Sequence, residues 1–515
     1  MALNLASILH NSTRTFPRET AIIADNVRYT YERLDQAARR FAAELLERGL
    51  NRGEKVAIMI PNVPEFSIAY FGVLYAGGVV VPLSTLHVAT ELVYQIDDCE
   101  ARAFVVHADC AAQGVEAYRR AKNCPHLYMI GSCSLPSDLP SEVRSFADVM
   151  AGGTHADLAQ TNSDETAVIL YTSGTTGKPK GAELTHFNVY TNSQYNSERT
   201  FSLWPDEINV MKPGHVAIAC LPLYHTFGQT NVHNTTLFGG AAVTLVKRFT
   251  AEAVVHVIQR DRVTHFAGVP TMYLTILNDP ATKSADLSCL KFCVSGGAPM
   301  PVEAKHEFQK RFKVRIQEGY GLTETSPLAC QQRYNETEAA GTIGKPINGV
   351  EMKIFDENDQ EVPVGERGEV VIRGNNIMKG YFKQPEATAA AMRNGWFHSG
   401  DIGYVNDKGE FHIVDRKKDM ILRGGYNVYP REVEEALYAH PCVAEAAVIG
   451  IPDDRLGEEV KAVISLKAGS QATVEEIIEH CKKLVATYKY PRHVEIIESL
   501  PKGPTGKILK RALRG

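Results

Sequence analysis

The sequence predicts an α/β fold. A large N-terminal domain of parallel-rich sheets flanked by helices is followed by a small, mobile α+β C-terminal domain. Three observations predict it. Apolar spacing switches repeatedly between helical and strand periods, which implies βαβ units and largely parallel sheets. The length of 515 residues suits about three average domains, or one large and one small. Near residue 415 a charged run, Asp415-Arg416-Lys417-Lys418-Asp419, breaks the pattern and divides the charge. Residues 416–515 hold 17 basic and 14 acidic side chains, and the remainder 38 and 46. The expected division is therefore 1–414, a hinge at 415–419, and 420–515. A mildly basic small domain over an acidic large one would suit a lid over phosphates.

The elements follow in order. Residues 1–18 contain Arg14 and Arg18 and no acid, a faint transit-peptide character, but a surface amphipathic helix is the simpler reading. They lack the basic head and long apolar run of a secretory signal. Thr30 is placed to cap a helix whose Leu34, Ala38, Phe41 and Leu45 share one face. Strands are predicted at 56–60, 104–106, 167–171, 216–220 and 243–246. From Phe66 to His87 no side chain is charged, long enough to span a bilayer. Gly72, Gly77, Gly78 and Pro82 interrupt it, so it reads as a helix ending at Gly77-Gly78 and a buried strand, Val79-Val80-Val81. Gly403-Tyr404, Lys408-Gly409-Glu410 and 411–414 read as turns and a short hairpin. Pro430 opens a helix, and Thr473-Val474-Glu475-Glu476 is a capping box for another.

Composition narrows the function. Hydrophobic residues are 44% and charged residues 22%, ordinary globular values. A net charge of -5 argues against a protein that grips nucleic acid through its backbone charge. The 10 cysteines form no Cys-x-x-Cys pair, which points to free thiols in a reducing compartment and a cytoplasmic location.

The strongest chemical signal runs from Tyr171 to Gly181. After a buried-strand pattern come Thr172, Ser173, Gly174, Thr175, Thr176, Gly177 and Lys178, then Pro179 and Lys180. Glycines let backbone N–H groups turn toward an anion, hydroxyls add neutral donors, and lysines add charge. This is the chemistry of a polyphosphate cradle. It is not a Walker loop, because Gly174 and Gly177 are too close and Pro179 stands where Ser or Thr is required.

This segment resembles the phosphate loop of adenylate-forming enzymes: acyl-CoA synthetases, aryl-CoA ligases, luciferases and peptide-synthetase adenylation domains. The resemblance spans essentially the whole chain, since further motifs follow in family order. Leu221-Pro222-Leu223-Tyr224-His225 resembles the segment beside the acyl pocket, with His225 as its gate. Ser295-Gly296-Gly297-Ala298-Pro299 resembles the adenine-binding loop. In Gly319-Tyr320-Gly321-Leu322-Thr323-Glu324, the resemblance implies that Tyr320 stacks on adenine, Thr323 donates to the α-phosphate and Glu324 coordinates Mg²⁺. Gly395-Trp396-Phe397-His398-Ser399-Gly400-Asp401 resembles the ribose motif, with Asp401 accepting from both hydroxyls. Arg416 is then a ribose or phosphate contact and Lys418 the hinge. Arg423, Gly424 and Gly425 shape a thiol tunnel, and Lys507, in Pro-x-Gly-x-x-Gly-Lys, is the catalytic lysine of adenylation.

The resemblance implies a ligase using ATP, Mg²⁺ and coenzyme A. Carboxylate attacks the α-phosphorus, pyrophosphate leaves, and a thiol then displaces AMP from the acyl-adenylate. Such chemistry needs positioning and charge neutralisation more than a protein nucleophile. The segment from Tyr224 to Thr230 looks most like bacterial fatty-acyl-CoA synthetases. A medium- or long-chain fatty acid is the expected substrate, with a hydroxycinnamate- or benzoate-type acid as alternative. The expected thiol is free coenzyme A, with a carrier-protein phosphopantetheine as alternative. Neither nucleic acid nor a transmembrane segment is expected. Peripheral membrane contact and the oligomeric state stay open.

Overall fold

A computed structural model describes residues 1–132, 143–172, 178–198, 211–334, 341–503 and 506–514. Two mixed, parallel-rich sheets form the large lobe. The eight-stranded sheet places Val79–Pro82, Lys55–Met59, Ala101–His107 and His126–Ile130 among its parallel strands. Thr166–Thr172 lies beside Val79–Pro82, and Lys180–Thr185 turns back antiparallel to it. The nine-stranded sheet runs parallel from Thr20–Ala24 through Ala242–Leu245, Val216–Ala219, His265–Gly268 and Phe292–Ser295 to Ile316–Gly321. Its apolar strands are covered on both faces, as parallel sheets require.

Helices between the sheets follow the expected signals. Thr30 caps the helix Tyr31–Glu47, its hydroxyl accepting the Arg33 N–H at 3.2 Å. The uncharged stretch resolves into the helix Pro64–Tyr75 and the strand Val79–Pro82. Gly72 lets the helices Tyr31–Glu47 and Pro64–Tyr75 touch, because a Cβ there would sit 2.8 Å from Phe41 and 2.9 Å from the Ala38 carbonyl. Among the described residues no helix is long and apolar enough to cross a membrane. The N-terminal helix Ser7–Thr15 buries Ile8 and Leu9.

An antiparallel sheet follows, built on Val350–Phe355, Gly368–Gly374, Trp396–Val405 and Phe411–Arg416. It corrects two expectations. Gly403-Tyr404 is not a turn but part of the long strand Trp396–Val405. Gly403 is needed because a Cβ would lie 2.5 Å from the His412 carbonyl on the neighbouring strand. Residues 415 and 416 are strand rather than linker. Their charges are met locally: Asp415 accepts the Arg431 N–H at 2.9 Å, and Arg416 pairs with Asp401. The small C-terminal sheet starts at Ile421. It joins Gly457–Leu466, Val443–Asp453 and His493–Ile496 to the helices Pro430–Tyr438 and Val474–Leu484. Thr473 and Glu476 form the expected capping box. This domain has its own core of Val433, Leu437, Val448, Val460, Ile464 and Ile477.

Candidate active site

The site forms where the carboxyl ends of Thr166–Thr172, Phe292–Ser295 and Ile316–Gly321 open toward the C-terminal domain, the position expected of ligand sites in open α/β sheets. Asp401 and Arg416 are cross-strand partners. Arg416 Nε lies 2.7 Å from Asp401 Oδ1, and the Tyr320 hydroxyl donates to Oδ2 at 2.6 Å. Ser399 steadies the pair, accepting the Asp401 N–H at 3.1 Å while donating to the Val370 carbonyl at 2.6 Å. Asp401 is only 2% exposed. A carboxylate has about four acceptor positions, so this one can still accept from a ligand.

Of the glycines around Tyr320, Gly321 is sterically required. A Cβ on Gly321 would lie 1.8 Å from the Pro327 carbonyl oxygen. A Cβ on Gly296 would lie 3.2 Å from the Phe227 ring and 3.3 Å from the Gly319 carbonyl oxygen. Gly297 is left-handed at φ +79°, turning the chain through Ala298 away from the strand Phe292–Ser295. The loop 296–298 and the segment 319–321 therefore line one cleft.

Thr323 and Glu324 share a single tight turn, Thr323–Thr325. Tyr381 donates to Glu324 Oε1 at 2.8 Å, and the Glu324 carbonyl accepts the Met378 N–H at 2.8 Å. Burial and the Glu324 charge push the Tyr381 phenol upward, so it remains a donor. Among the described residues Glu324 Oε2 has no hydrogen-bond partner, and no group of three or more His, Cys, Asp or Glu could hold a metal. One outward carboxylate oxygen fits Mg²⁺, which keeps water and substrate oxygens and seldom uses an all-protein cage.

Ser173, Gly174, Thr175, Thr176 and Gly177 lie outside the described residues. Both stems of that loop are held by the helix Ala89–Asp98. The Tyr171 hydroxyl donates to Asp98 at 2.6 Å, and that of Tyr94 donates to the Pro179 carbonyl at 3.0 Å. Thr172 bonds across to the Lys180 carbonyl at 3.4 Å, and the exposed Lys178 holds its ammonium 5.3 Å from the centre of the Tyr94 ring.

Lys507 reaches this cleft from the C-terminal tail. The Thr271 hydroxyl, on the large lobe, donates to the Gly506 carbonyl at 2.9 Å. Lys502 and Lys510 tie the tail to the small domain through Glu445 at 2.6 Å and Glu434 at 2.8 Å. Surrounding protein and the Arg416 charge lower the Lys507 ammonium to about 8, although the cleft leaves its side chain open to solvent. Burial, reinforced by the Lys507 charge, lowers His225 to about 4. It is thus neutral at pH 7, and its Nδ1 accepts the Phe227 N–H at 3.3 Å. His225 precedes a π-helical stretch, Phe227–Asn234, a wound form that often accompanies functional sites.

Arg423, Gly424 and Gly425 are not brought to this cleft. Arg423 is engaged by Glu459 at 2.6 and 2.8 Å, and the two glycines are exposed at a left-handed turn of the small sheet. Lys418 is exposed in the turn between Arg416 and Ile421.

A cavity beside the π-helical stretch has about 450 Å³ of empty space, its solvent mouth included. Phe227, Val232, Ala267 and Val294 line it together with polar Asn231 and Thr236. The Thr236 hydroxyl is buried without a partner among the described residues. The sequence reading missed two contributors, Tyr94 and Tyr381, and it took Thr271 as pocket lining without its contact to the tail. Each tyrosine reaches the site from a distant element, and nothing in its local sequence marks it.

Comparison with known proteins gives the family. Residues 9–382 match the family described as AMP-binding enzyme, and residues 432–507 its C-terminal domain. The chain is 36% identical to a long-chain-fatty-acid–CoA ligase of Bacillus subtilis (strain 168), over 99% of this chain and 94% of that one. It is also 36% identical to a feruloyl-CoA synthase of Amycolatopsis sp, over 97% and 96%. The crystal structure of an anthranilate CoA ligase in complex with anthranoyl-AMP superposes with a TM-score of 0.91 at 28% identity, covering 100% of this chain and 97% of that one.

Proposed function

The chain belongs to the AMP-binding enzyme family, and from that premise we propose that it activates a medium- or long-chain fatty acid as its acyl-adenylate and passes it to coenzyme A. It is an AMP-forming acid–thiol ligase. One observation carries the assignment of roles: Thr271 docks Gly506 on the large lobe, beside Asp401, Arg416 and His225.

In the first step a carboxylate oxygen attacks the α-phosphorus and pyrophosphate departs. Negative charge builds between two anions, and the Lys507 ammonium is the mobile cation that bridges them. Groups placed this way commonly contribute on the order of 100- to 1000-fold in rate. Asp401 and Arg416 hold the ribose side of the nucleotide, Tyr320 offers its ring to the adenine, and the loop 296–298 closes over that base. Thr323 and the loop 172–178 donate to phosphate oxygens. Glu324 would hold Mg²⁺, which supplies charge neutralisation on those oxygens. Neutral His225 gates the acyl pocket without adding a second positive charge.

The second step needs a different face. Rotation about Lys418 would withdraw Lys507 and bring Arg423, Gly424 and Gly425 to the cleft, where the two exposed glycines leave room for a pantetheine arm. Their solvent-facing position, apart from the adenylation groups, supports that division. A hinge of this kind needs only a few residues to change conformation. The cytoplasm is the proposed location, consistent with the described cysteines all being free.

A second reading has one observation in its favour. The cavity exposes Asn231 and Thr236 among its apolar lining, which suits an oxygen-bearing aryl acid better than a bare alkyl chain. A panel of aliphatic and aromatic acids decides. Coenzyme A-dependent AMP release with C8–C18 acids is expected, and preference for hydroxylated aryl acids would overturn the fatty-acid assignment. AMP release that requires a carrier protein instead would overturn coenzyme A as the thiol.

A further inference from the structure

We propose that Tyr381 is a positioning residue that aims Glu324 at the nucleotide-bound metal and screens it from Lys180. The proposal rests on Glu324 being the metal-holding carboxylate.

Tyr381 sits where the two large sheets meet. Its backbone is paired with Ala182, just beyond the phosphate-loop stem, and Gly380 is paired with Glu183. Thr388 accepts the Tyr381 N–H at 2.9 Å. The main chain therefore belongs to the eight-stranded sheet. The hydroxyl crosses to Glu324, which follows the strand Ile316–Gly321 of the nine-stranded sheet, and donates to Oε1 at 2.8 Å. A phenol donor on one oxygen fixes the carboxylate plane and directs the other oxygen outward. The donor also leaves the carboxylate its full charge, which an ammonium partner would cancel.

Lys180 supplies that ammonium. Its Nζ lies 5.1 Å from the centre of the Tyr381 ring, within the range of cation–π attraction. The same phenol thus occupies both groups, the carboxylate at its hydroxyl and the lysine over its face. Without the ring, a lysine and a carboxylate on adjoining elements would be drawn into a pair, and the metal would have to break it.

The test is calorimetric binding of a non-hydrolysable ATP analogue with and without Mg²⁺, so no turnover is needed. Tyr381→Phe should weaken binding of the magnesium complex about tenfold, as for a lost hydrogen bond to a charged group, and change metal-free binding less than twofold. Tyr381→Leu, which removes the ring as well, should weaken the magnesium complex further. Equal weakening with and without metal would show a merely structural role and overturn the proposal, as would no weakening at all. A leucine variant no worse than the phenylalanine one would overturn the screening of Lys180. Glu324→Gln is the control for the underlying reading. If it leaves the metal dependence intact, Glu324 is not the metal's carboxylate and the proposal fails at its premise. If it abolishes the dependence while Tyr381→Phe does nothing, the failure belongs to Tyr381 alone.

Discussion

The two sides of the cleft are built differently. On the large lobe, Asp401 is held by Arg416, Tyr320 and Ser399, three partners on three separate segments, and is nearly sealed from solvent. On the other side, the Thr271 hydroxyl holds the backbone beside Lys507, while the tail's ion pairs lead back to its own domain. The small domain has a core to itself. On the proposed mechanism, one half of the chemistry stays assembled and the other visits. A neutral hydrogen bond contributes only about 1 kcal/mol net, weak enough to be broken in every cycle. If Lys507 leaves before the thiol arrives, as proposed, it cannot be anchored as Asp401 is.

The sharpest break of this comparison is Lys507→Ala. It should reduce acid-dependent ATP–pyrophosphate exchange about 100- to 1000-fold and leave thioester formation from supplied acyl-adenylate near the wild-type rate. Equal losses in both half-reactions would mean that the tail is not a visitor. Asp401→Asn attacks the permanent side. It should raise the KM for ATP about 10- to 100-fold, the worth of a charged hydrogen bond, with binding of AMP by calorimetry falling in parallel.

pH separates the sides without mutation. Lys507 loses its proton as pH rises through about 8, and only the ammonium can bridge two anions. Exchange measured as kcat/KM should therefore fall about tenfold per pH unit above that point. Lys507→Arg should move the alkaline limb beyond reach, since a guanidinium stays charged. The smallest effect is expected from Thr271→Val. Losing one hydrogen bond of about 1 kcal/mol should slow exchange roughly fivefold and leave the thioester half-reaction unchanged. A loss in both would place Thr271 in the large lobe's own stability rather than in docking.

Much of this was legible in one dimension because the relevant signals are local. The cap at Thr30, the capping box at Thr473 and the break at Gly77-Gly78 each depend on neighbouring residues, and each appears where expected. The segments 296–298 and 319–324 were legible only through the order and spacing of their family-like motifs, and of their glycines Gly321 is the one that backbone crowding dictates. The charged run at 415–419 was half misread. Arg416 resembles a solvated linker residue until the strand Trp396–Val405 places Asp401 opposite it. Tyr381 and Tyr94 left no local trace, because each acts on an element far away in the chain.

By itself, the sequence determined the α/β class, because periodicity, capping and glycine placement are short-range consequences of chain geometry, and its motif order carried the resemblance to adenylate-forming enzymes. The tertiary structure alone decided which residues meet. It set Tyr320 on Asp401, Tyr381 between Glu324 and Lys180, and Gly506 on Thr271, leaving Arg423 to Gly425 outside. The physical reason is that hydrogen bonds and charges act over a few ångströms of space, and only folding turns separations of 57 to 235 residues into such distances.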